Sequence, residues 1–185
     1  MFQIRFHGRG GQGVVTAAEM LSVAAFLEGR HAQAFPSFGS ERTGAPVVSF
    51  CRIDDTEIRT REPILVPDAV IVQDPTLFHS VDVFQGLPDS GYVLINTSAD
   101  YKTLHIDGVM GRFPPGHART VPASEIARVH VGRPLPNAAL LGGFAAVTGQ
   151  IHMDSVAEAI RRTFPGPVGE ANVRAAWAAY EHCRS

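Results

Sequence analysis

The stretch "IRFHGRGGQGVVTAAEML", residues 4–21, decides the fold of the N-terminal part of the chain. Residues 2–7 alternate apolar and polar side chains as a strand does, and a glycine-rich block at residues 8–13 follows directly. From Val14 onward apolar residues recur at helical spacing as far as Gly29, a typical helix stop. The order of strand, turn and helix predicts a Rossmann-like first βα unit. We call residues 8–13 the glycine turn.

The rest of the chain predicts an α/β fold. Further strand-like segments cover residues 31–35, 47–54, 69–74 and 91–97, and a weaker one covers 119–123 ahead of a helix over 124–131. Because several of these segments are apolar almost throughout and are separated by helix-length stretches, we expect a mostly parallel sheet with helices on both faces. A length of 185 residues fits one domain spanning residues 1–185.

Three helices are predicted in the C-terminal part. The segment 137–150 is apolar nearly all round, so we expect this helix to be buried or pressed closely against another surface. Asp154 is the expected N-cap of an amphipathic helix that follows. The last helix, over 170–183, is expected to bury four side chains, namely Val173, Ala176, Trp177 and Tyr180.

Composition narrows the classes of partner. The chain is 45% hydrophobic and 18% charged, with a formal net charge of -2 and no basic run, which argues against nucleic acid. No apolar run approaches the ~18 residues needed to span a bilayer, so we expect no membrane partner and a cytoplasmic location. Cys51 and Cys183 are far apart and lack metal-ligand spacing, so no iron-sulfur or zinc site is expected within this chain alone.

The glycine turn matches the pattern Gly-x-Gly-x-x-Gly through Gly8, Gly10 and Gly13. Backbone N–H groups at a helix N-terminus can approach a phosphate when no Cβ obstructs them, and the helix dipole favours the negative charge. A diphosphate is therefore a chemically sensible ligand. The alternative is that the glycines serve only a tight turn and close packing of helix on sheet.

The dinucleotide pattern also demands an acidic residue ~20 residues further on, to hold the ribose hydroxyls. Gln33 stands there, and no Asp or Glu occurs between Glu28 and Glu41, which counts against NAD. The loop over 36–46 offers hydroxyl and guanidinium donors suited to a phosphorylated group or an acidic partner. It is equally consistent with a solvated loop or with one that packs on another subunit. Asp74, at the end of a predicted strand, is interpreted as a helix cap.

Three motifs together resemble a known family. "IRFHGRGGQGVVTAAEML", "FPSFGSERTGAPVVSFCRID" and "PDAVIVQDPTLF" resemble the gamma subunit of 2-oxoacid:acceptor oxidoreductases, the pyruvate:ferredoxin oxidoreductase group, and "LPNAALLGGFAAVTG" resembles that subunit's late segment. The resemblance implies a non-catalytic subunit that helps to bind coenzyme A in a complex that converts a 2-oxoacid to its acyl-coenzyme A. The matching positions are Gly10, Gly11, Gln12 and Gly13 in the glycine turn, Ser40, Arg42, Thr43 and Gly44 in the loop, and Asn137.

The same resemblance implies the partners. Thiamine diphosphate, Mg²⁺ and the iron-sulfur clusters are expected on companion chains: alpha and beta thiamine-binding subunits, a ferredoxin-like iron-sulfur subunit and, where NAD is the acceptor, a flavoprotein subunit. Pyruvate, 2-oxoglutarate and branched-chain, indolyl or aryl oxoacids all remain open as substrates. The alternatives are a stand-alone Rossmann-type nucleotide-binding oxidoreductase and a scaffold whose glycine turn is purely structural.

Overall fold

One six-stranded sheet organises the chain, and the computed structural model describes residues 1–37 and 42–185 of it. The strands stand in the order β2-β3-β1-β4-β5-β6, and β3 is antiparallel to both of its neighbours while β1, β4, β5 and β6 are mutually parallel. The prediction of a mostly parallel sheet is therefore confirmed. The strands are β1 (Phe2–Arg9), β2 (His31–Pro36), β3 (Pro46–Asp54), β4 (Ala69–Val72), β5 (Tyr92–Asn96) and β6 (Ala118–Val121).

Helices lie on both faces of this sheet, as predicted, but most of the helical residues are on one face. The helices are α1 (Val14–Leu27), α2 (Asp107–Met110), α3 (Ala123–Val131), α4 (Asn137–Thr148), α5 (Met153–Thr163) and α6 (Pro167–Arg184), with a 3-10 helix at Pro75–His79. The five longer helices share one core with inward side chains such as Phe6 and Ile71. The 3-10 helix and α2 cover the other face through a smaller core around Val72 and Ile95.

On the second face of the sheet, β1 is covered by segments without regular secondary structure. The buried guanidinium of Arg5 holds these segments in place through hydrogen bonds. Arg5 is only 7% exposed and donates to the carbonyls of Ile64 (3.3 Å) and Val83 (3.1 Å). Its Nε also donates to Nε2 of His7 at 2.9 Å. Burial is the main reason, and the charge of Arg5 the second, that the pKa of His7 falls to about 3. His7 is consequently a neutral acceptor at physiological pH.

The apolar helix α4 is buried within the chain itself. Its first nine residues are all buried, and an added Cβ on Gly142 would collide with the carbonyl of Ala176 in α6. The glycine therefore allows two helix backbones to approach closely. This packing accounts for the all-round apolar pattern that the sequence left open.

Two details of the C-terminal helices differ from the predictions. The N-cap of α5 is His152, and Asp154 lies in the first helical turn, where its carboxylate faces the positive end of the helix dipole without capping it. Val173 and Ala176 are buried as expected, but Trp177 is 36% exposed and Tyr180, which it contacts edge-on, is only partly buried. The indole of Trp177 is therefore at the protein surface and not in the core. None of the helices in the described ranges is both long and apolar enough to cross a bilayer.

Candidate functional site

The glycine turn delivers an uncapped helix N-terminus. Gly11 (φ +91°) and Gly13 (φ +70°) take up the left-handed conformation that bends the chain from β1 into α1. Gly13 is the N-cap and has no side chain to offer, and the first turn of α1 carries no acidic residue. Among the described residues no acceptor reaches the N–H groups of Gly11, Gly13, Val14, Val15 or Thr16. Unsatisfied N–H groups and the positive end of the helix dipole together form an anion-binding arrangement.

Gly10 joins the glycine turn to the loop that follows β2. Its N–H donates to the carbonyl of Ala45 at 2.9 Å, and its own carbonyl accepts from the N–H of Gly44 at 3.0 Å. An added Cβ on Gly10 would collide with the carbonyl of Arg42, so the approach of the two backbones requires glycine there. Thr43 and Gly44 are thereby fixed beside the turn, and the Arg42 side chain is exposed. Ser40 lies outside the described residues.

Asn137 places the start of α4 against the start of α1. It is 4% exposed, and its Nδ2 lies 3.5 Å from the carbonyl oxygen of Gly13. A Cβ added to Gly13 would stand 2.5 Å from the same Nδ2. The third glycine of the pattern is thus required by its neighbour in α4 as well as by its own backbone conformation.

The glycine turn is stabilised by a polar network that the sequence did not indicate. The side chain of Gln12 accepts from the N–H of Arg9 and donates to Oδ2 of Asp74, both at 2.8 Å. Asp74 also caps the 3-10 helix, as predicted, by accepting from the N–H of Thr76 at 3.0 Å. Burial raises the pKa of Asp74, but hydrogen bonds from Thr76 and Gln12 and the charge of Arg9 outweigh it and lower the pKa. The ionised carboxylate therefore holds the turn to the end of β4.

Beside this network a cleft of about 310 Å³ opens at the carboxyl ends of the central strands. Eight polar residues line it, namely Gln12, Gln73, Asp74, Asn96, Thr97, Ser98, Ser124 and Glu125. Open α/β sheets bind ligands at this edge, where the chain connections change direction. The cleft therefore continues the candidate site on the side of the turn away from the 42–45 loop.

The structure brings eight of the nine predicted site positions together around the glycine turn. Four residues outside the predicted positions also lie there, namely Arg9, Gln73, Asp74 and Asn96. They share a position in the fold, because each lies at the carboxyl end of β1, β4 or β5 or within two residues of it. The structure is consistent with both interpretations of the glycines: Gly10 and Gly13 allow close packing, and no described residue accepts from the first N–H groups of α1.

Fold and site define an α/β domain in which backbone N–H donors at a helix start lie beside a polar cleft. In residues 1–37 and 42–185 no three His, Cys, Asp or Glu side chains converge to hold a metal ion.

Comparison with known proteins places the domain in a family. Residues 3–182 match the family model described as "Pyruvate ferredoxin/flavodoxin oxidoreductase". The chain is 49% identical over 181 residues to the pyruvate synthase subunit PorC of Methanothermobacter thermautotrophicus, covering 98% of this chain and 95% of that one. It is 48% identical to the pyruvate/ketoisovalerate oxidoreductases common subunit gamma of Pyrococcus furiosus, covering 98% and 96%. The crystal structure of pyruvate oxidoreductase subunit PORC from Thermotoga maritima superposes with a TM-score of 0.81 at 37% identity, covering 97% and 95%. The chain therefore belongs to the pyruvate ferredoxin/flavodoxin oxidoreductase family.

The predicted resemblance to the gamma subunit is confirmed, and the alternative of a stand-alone Rossmann-type oxidoreductase is not favoured. The arrangement of the strands gives a physical reason against a stand-alone dinucleotide-binding oxidoreductase. In a dinucleotide-binding unit β2 is a parallel strand that brings an acidic residue to the ribose. Here β2 is an edge strand paired with the antiparallel β3, and Gln33 donates to the carbonyl of Thr60 instead.

Proposed function

We propose that this chain is the gamma-type subunit of a complex that oxidatively decarboxylates a 2-oxoacid, such as pyruvate, to its acyl-coenzyme A, and that it supplies part of the coenzyme A site. Its proposed partners are alpha and beta thiamine-binding subunits and a ferredoxin-like iron-sulfur subunit, joined by a flavoprotein subunit where NAD is the acceptor. The complex is proposed to work in the cytoplasm. Thiamine diphosphate with Mg²⁺ and the iron-sulfur clusters, held by those partners, supply the decarboxylation and the electron transfer. This chain binds and orients the coenzyme.

The observation that carries the proposal is the start of α1, where no residue in the described part of the chain accepts from the first N–H groups and the first turn holds no acidic residue. These donors suit a phosphate of coenzyme A. The 42–45 loop, bonded to Gly10, adds the hydroxyl of Thr43 and the guanidinium of Arg42, which is the side chain best suited to phosphate. Asp74, the carboxylate bonded to the turn, is paired with Arg9, so its charge is compensated.

A charge placed in the first turn of α1 tests the proposal. Thr16→Asp puts a carboxylate at the helix N-terminus, where it stabilises the helix by about 0.3–1 kcal/mol and repels a bound phosphate. At roughly 1–2 kcal/mol of repulsion, coenzyme A affinity in the assembled complex falls about 5- to 30-fold. Thr16→Asn has nearly the same shape without the charge, so its affinity stays within about 2-fold. Equal coenzyme A affinity for the two variants by titration calorimetry would refute binding at this helix.

The partners are tested by purifying the tagged chain from its native cells under non-denaturing conditions. Mass spectrometry is expected to find thiamine-binding and ferredoxin-like chains in constant proportion to it. A chain that elutes alone and binds NAD with micromolar affinity would instead establish the stand-alone oxidoreductase.

A further inference from the structure

The edge strand β2 leaves backbone groups without a partner at one side of the sheet. It pairs only with β3. The residue that follows it, Ser37, donates its N–H to the carbonyl of Val48 in β3 at 2.9 Å. Because hydrogen-bonded pairs alternate along an antiparallel ladder, the N–H and C=O groups of Ala32 and Ala34 point away from β3. No residue in the described part of the chain bonds to those groups.

β2 lacks the features that usually protect an edge strand from pairing with another chain. Protected edges are very short, carry a charged side chain or contain a bulge. The opposite edge, β6, follows this rule, because it has four residues and Arg119 is one of them. β2 has six residues without Lys, Arg, Asp or Glu, and its pairing with β3 has no bulge. β2 is therefore the edge of this sheet that is open to a further strand.

The free groups of β2 are complementary to those of a second β2 strand. Antiparallel pairing about a two-fold axis at Gln33 places Ala32 of each copy opposite Ala34 of the other, and every free N–H group then finds a carbonyl. The next outward residue, Pro36, has no N–H to satisfy. Opposite it would stand Arg30 of the second copy, whose N–H already donates within its own chain at 3.1 Å. The pairing therefore ends without leaving a donor unsatisfied.

The charges and the apolar surface beside β2 also suit a second copy. Pairing brings no like charges together, because β2 has no Lys, Arg, Asp or Glu and the neighbouring Arg30 is paired with Asp55 at 3.0 Å. A cleft of about 390 Å³ opens between α1 and this edge, and Phe26, which lines it, is 69% exposed. The two-fold axis puts both α1 helices on the same side of the joined sheet, so the exposed apolar surface of one copy faces that of the other.

We propose that the β2 edge is an interface between two copies of this chain, in which the two β2 strands pair antiparallel about Gln33 and join the two sheets into one. A second copy fits this edge because the donors, acceptors and charges of β2 match those of its own symmetry mate. The interface does not depend on the proposed coenzyme A function. The cleft lies at the last turn of α1, whereas the glycine turn precedes the first.

Ala34→Pro tests the pairing, because it removes an N–H that β3 does not use and an edge strand tolerates proline at such a position. Sedimentation of the full chain over a dilution series should show a dimer. Its dissociation constant should rise roughly 10- to 100-fold in the variant, since each copy loses a backbone hydrogen bond. Thr120→Pro is the matched control at the other edge, where Val121 accepts from the N–H of Thr97 at 3.0 Å and the N–H of Thr120 therefore points outward. A monomeric unmodified chain, or equal dissociation constants for the two proline variants, would refute the interface.

A disulfide tests the register without relying on proline. Gln33→Cys puts two thiols at the two-fold axis, where the Cα atoms of a non-hydrogen-bonded pair are about 4.5 Å apart, within reach of a disulfide. Oxidised glutathione should convert this variant, but not Thr120→Cys, to a covalent dimer, and the two native cysteines are buried. No covalent dimer would exclude pairing about Gln33.

The assembled complex shows which chain covers the edge. Native mass spectrometry should find an even number of copies of this chain, and Ala34→Pro should separate the copies without releasing any other subunit. If Ala34→Pro instead releases a different subunit and leaves the copy number unchanged, another chain covers β2 and the proposal is wrong. Thr16→Asp should leave the dimer intact, so a failure of the proposed coenzyme A function would be seen separately.

Discussion

Nε of Arg9 lies 3.3 Å from Oδ2 of Asp74, and this ion pair joins the last residue of β1 to the residue that caps the 3-10 helix. The same guanidinium donates through Nη1 to the carbonyl of Gly44 at 3.0 Å and through Nη2 to Oγ1 of Thr76 at 3.0 Å. Three segments that are distant in sequence thus meet at Arg9. The glycine turn and the 42–45 loop are therefore held in one geometry by a side chain that need not touch a ligand.

Arg9→Met should consequently weaken coenzyme A binding without removing a ligand contact. The 42–45 loop loses one anchor, and Asp74 is left with an uncompensated charge beside the proposed anion site, so we expect a roughly 3- to 10-fold loss of affinity. The cost in stability should be only about 1 kcal/mol, because the Arg9 side chain is 28% exposed. Arg59→Met, which breaks the exposed pair with Glu57, is the matched control. Calorimetric titration beside a denaturant melt checks both quantities, and unaltered coenzyme A affinity would make Arg9 a stabilising residue alone.

Gly13→Ala should destabilise the protein by more than its backbone conformation requires. Gly149 has nearly the same backbone (φ +63°) but no atom within 4 Å of an added Cβ, so Gly149→Ala measures the left-handed penalty of about 1–2 kcal/mol. The alanine at position 13 would also press on Nδ2 of Asn137, and we expect a total of about 2–4 kcal/mol. Adding Asn137→Ala should recover part of the difference. Equal urea midpoints for the two single variants would contradict a clash at Asn137.

His7 should make the protein lose stability as the solution is acidified. Its pKa is about 3 in the folded chain and ordinarily near 6.5, so between these values the unfolded chain binds the extra proton. The free energy of unfolding therefore falls with decreasing pH from about 6.5, by up to about 1.4 kcal/mol for each pH unit. His7→Gln retains an acceptor for Arg5 and removes the titration. Urea melts at pH 7, 6, 5 and 4 should show a shallower decline for the variant, and parallel declines would mean that His7 is protonated in the fold.

Local patterns were readable from the sequence because they depend on neighbouring residues. The strand, glycine turn and helix over residues 2–28 follow from alternation, glycine content and helical spacing, and Asp74 before Pro75 marked a cap. The direction of β3 was not readable, since an apolar strand has the same pattern whichever way it runs. Asp154 was assigned as a cap on residue type alone, whereas the helix begins one residue after His152.

The ion pair between Arg9 and Asp74 could not be predicted from the sequence, for a different reason. Arg9 and Asp74 are 65 positions apart, and their ion pair exists only because β1 and β4 are adjacent in the sheet. At Gly10 the motif suggests that glycine is needed to make room for a phosphate. In the structure it is the carbonyl of Arg42 that leaves no room for a side chain. Such contacts are properties of the assembled fold.

Arg42 provides the most direct test of the coenzyme-binding role. Its side chain is exposed at the start of the loop whose backbone is bonded to Gly10, close to the uncapped start of α1. If it reaches a phosphate of coenzyme A, Arg42→Ala removes a charge-assisted hydrogen bond worth about 1.5–3 kcal/mol. At ~1.4 kcal/mol for each factor of ten, the apparent affinity for coenzyme A should fall roughly 10- to 100-fold.

The same variant separates a ligand contact from a subunit contact. Decarboxylation precedes acyl transfer to coenzyme A, so the rapid absorbance change that follows addition of the 2-oxoacid alone should be unaffected by Arg42→Ala, while turnover with coenzyme A declines. An arginine that instead held this subunit to its neighbour by an ion pair would, when removed, dissociate the complex or impair both stages together. Stopped-flow absorbance and a coenzyme A titration on one preparation, with Arg59→Ala as the exposed control, give both readings. An intact complex with unchanged dependence on coenzyme A would exclude Arg42 from the site, and the anion would then be held by the backbone donors of α1 alone.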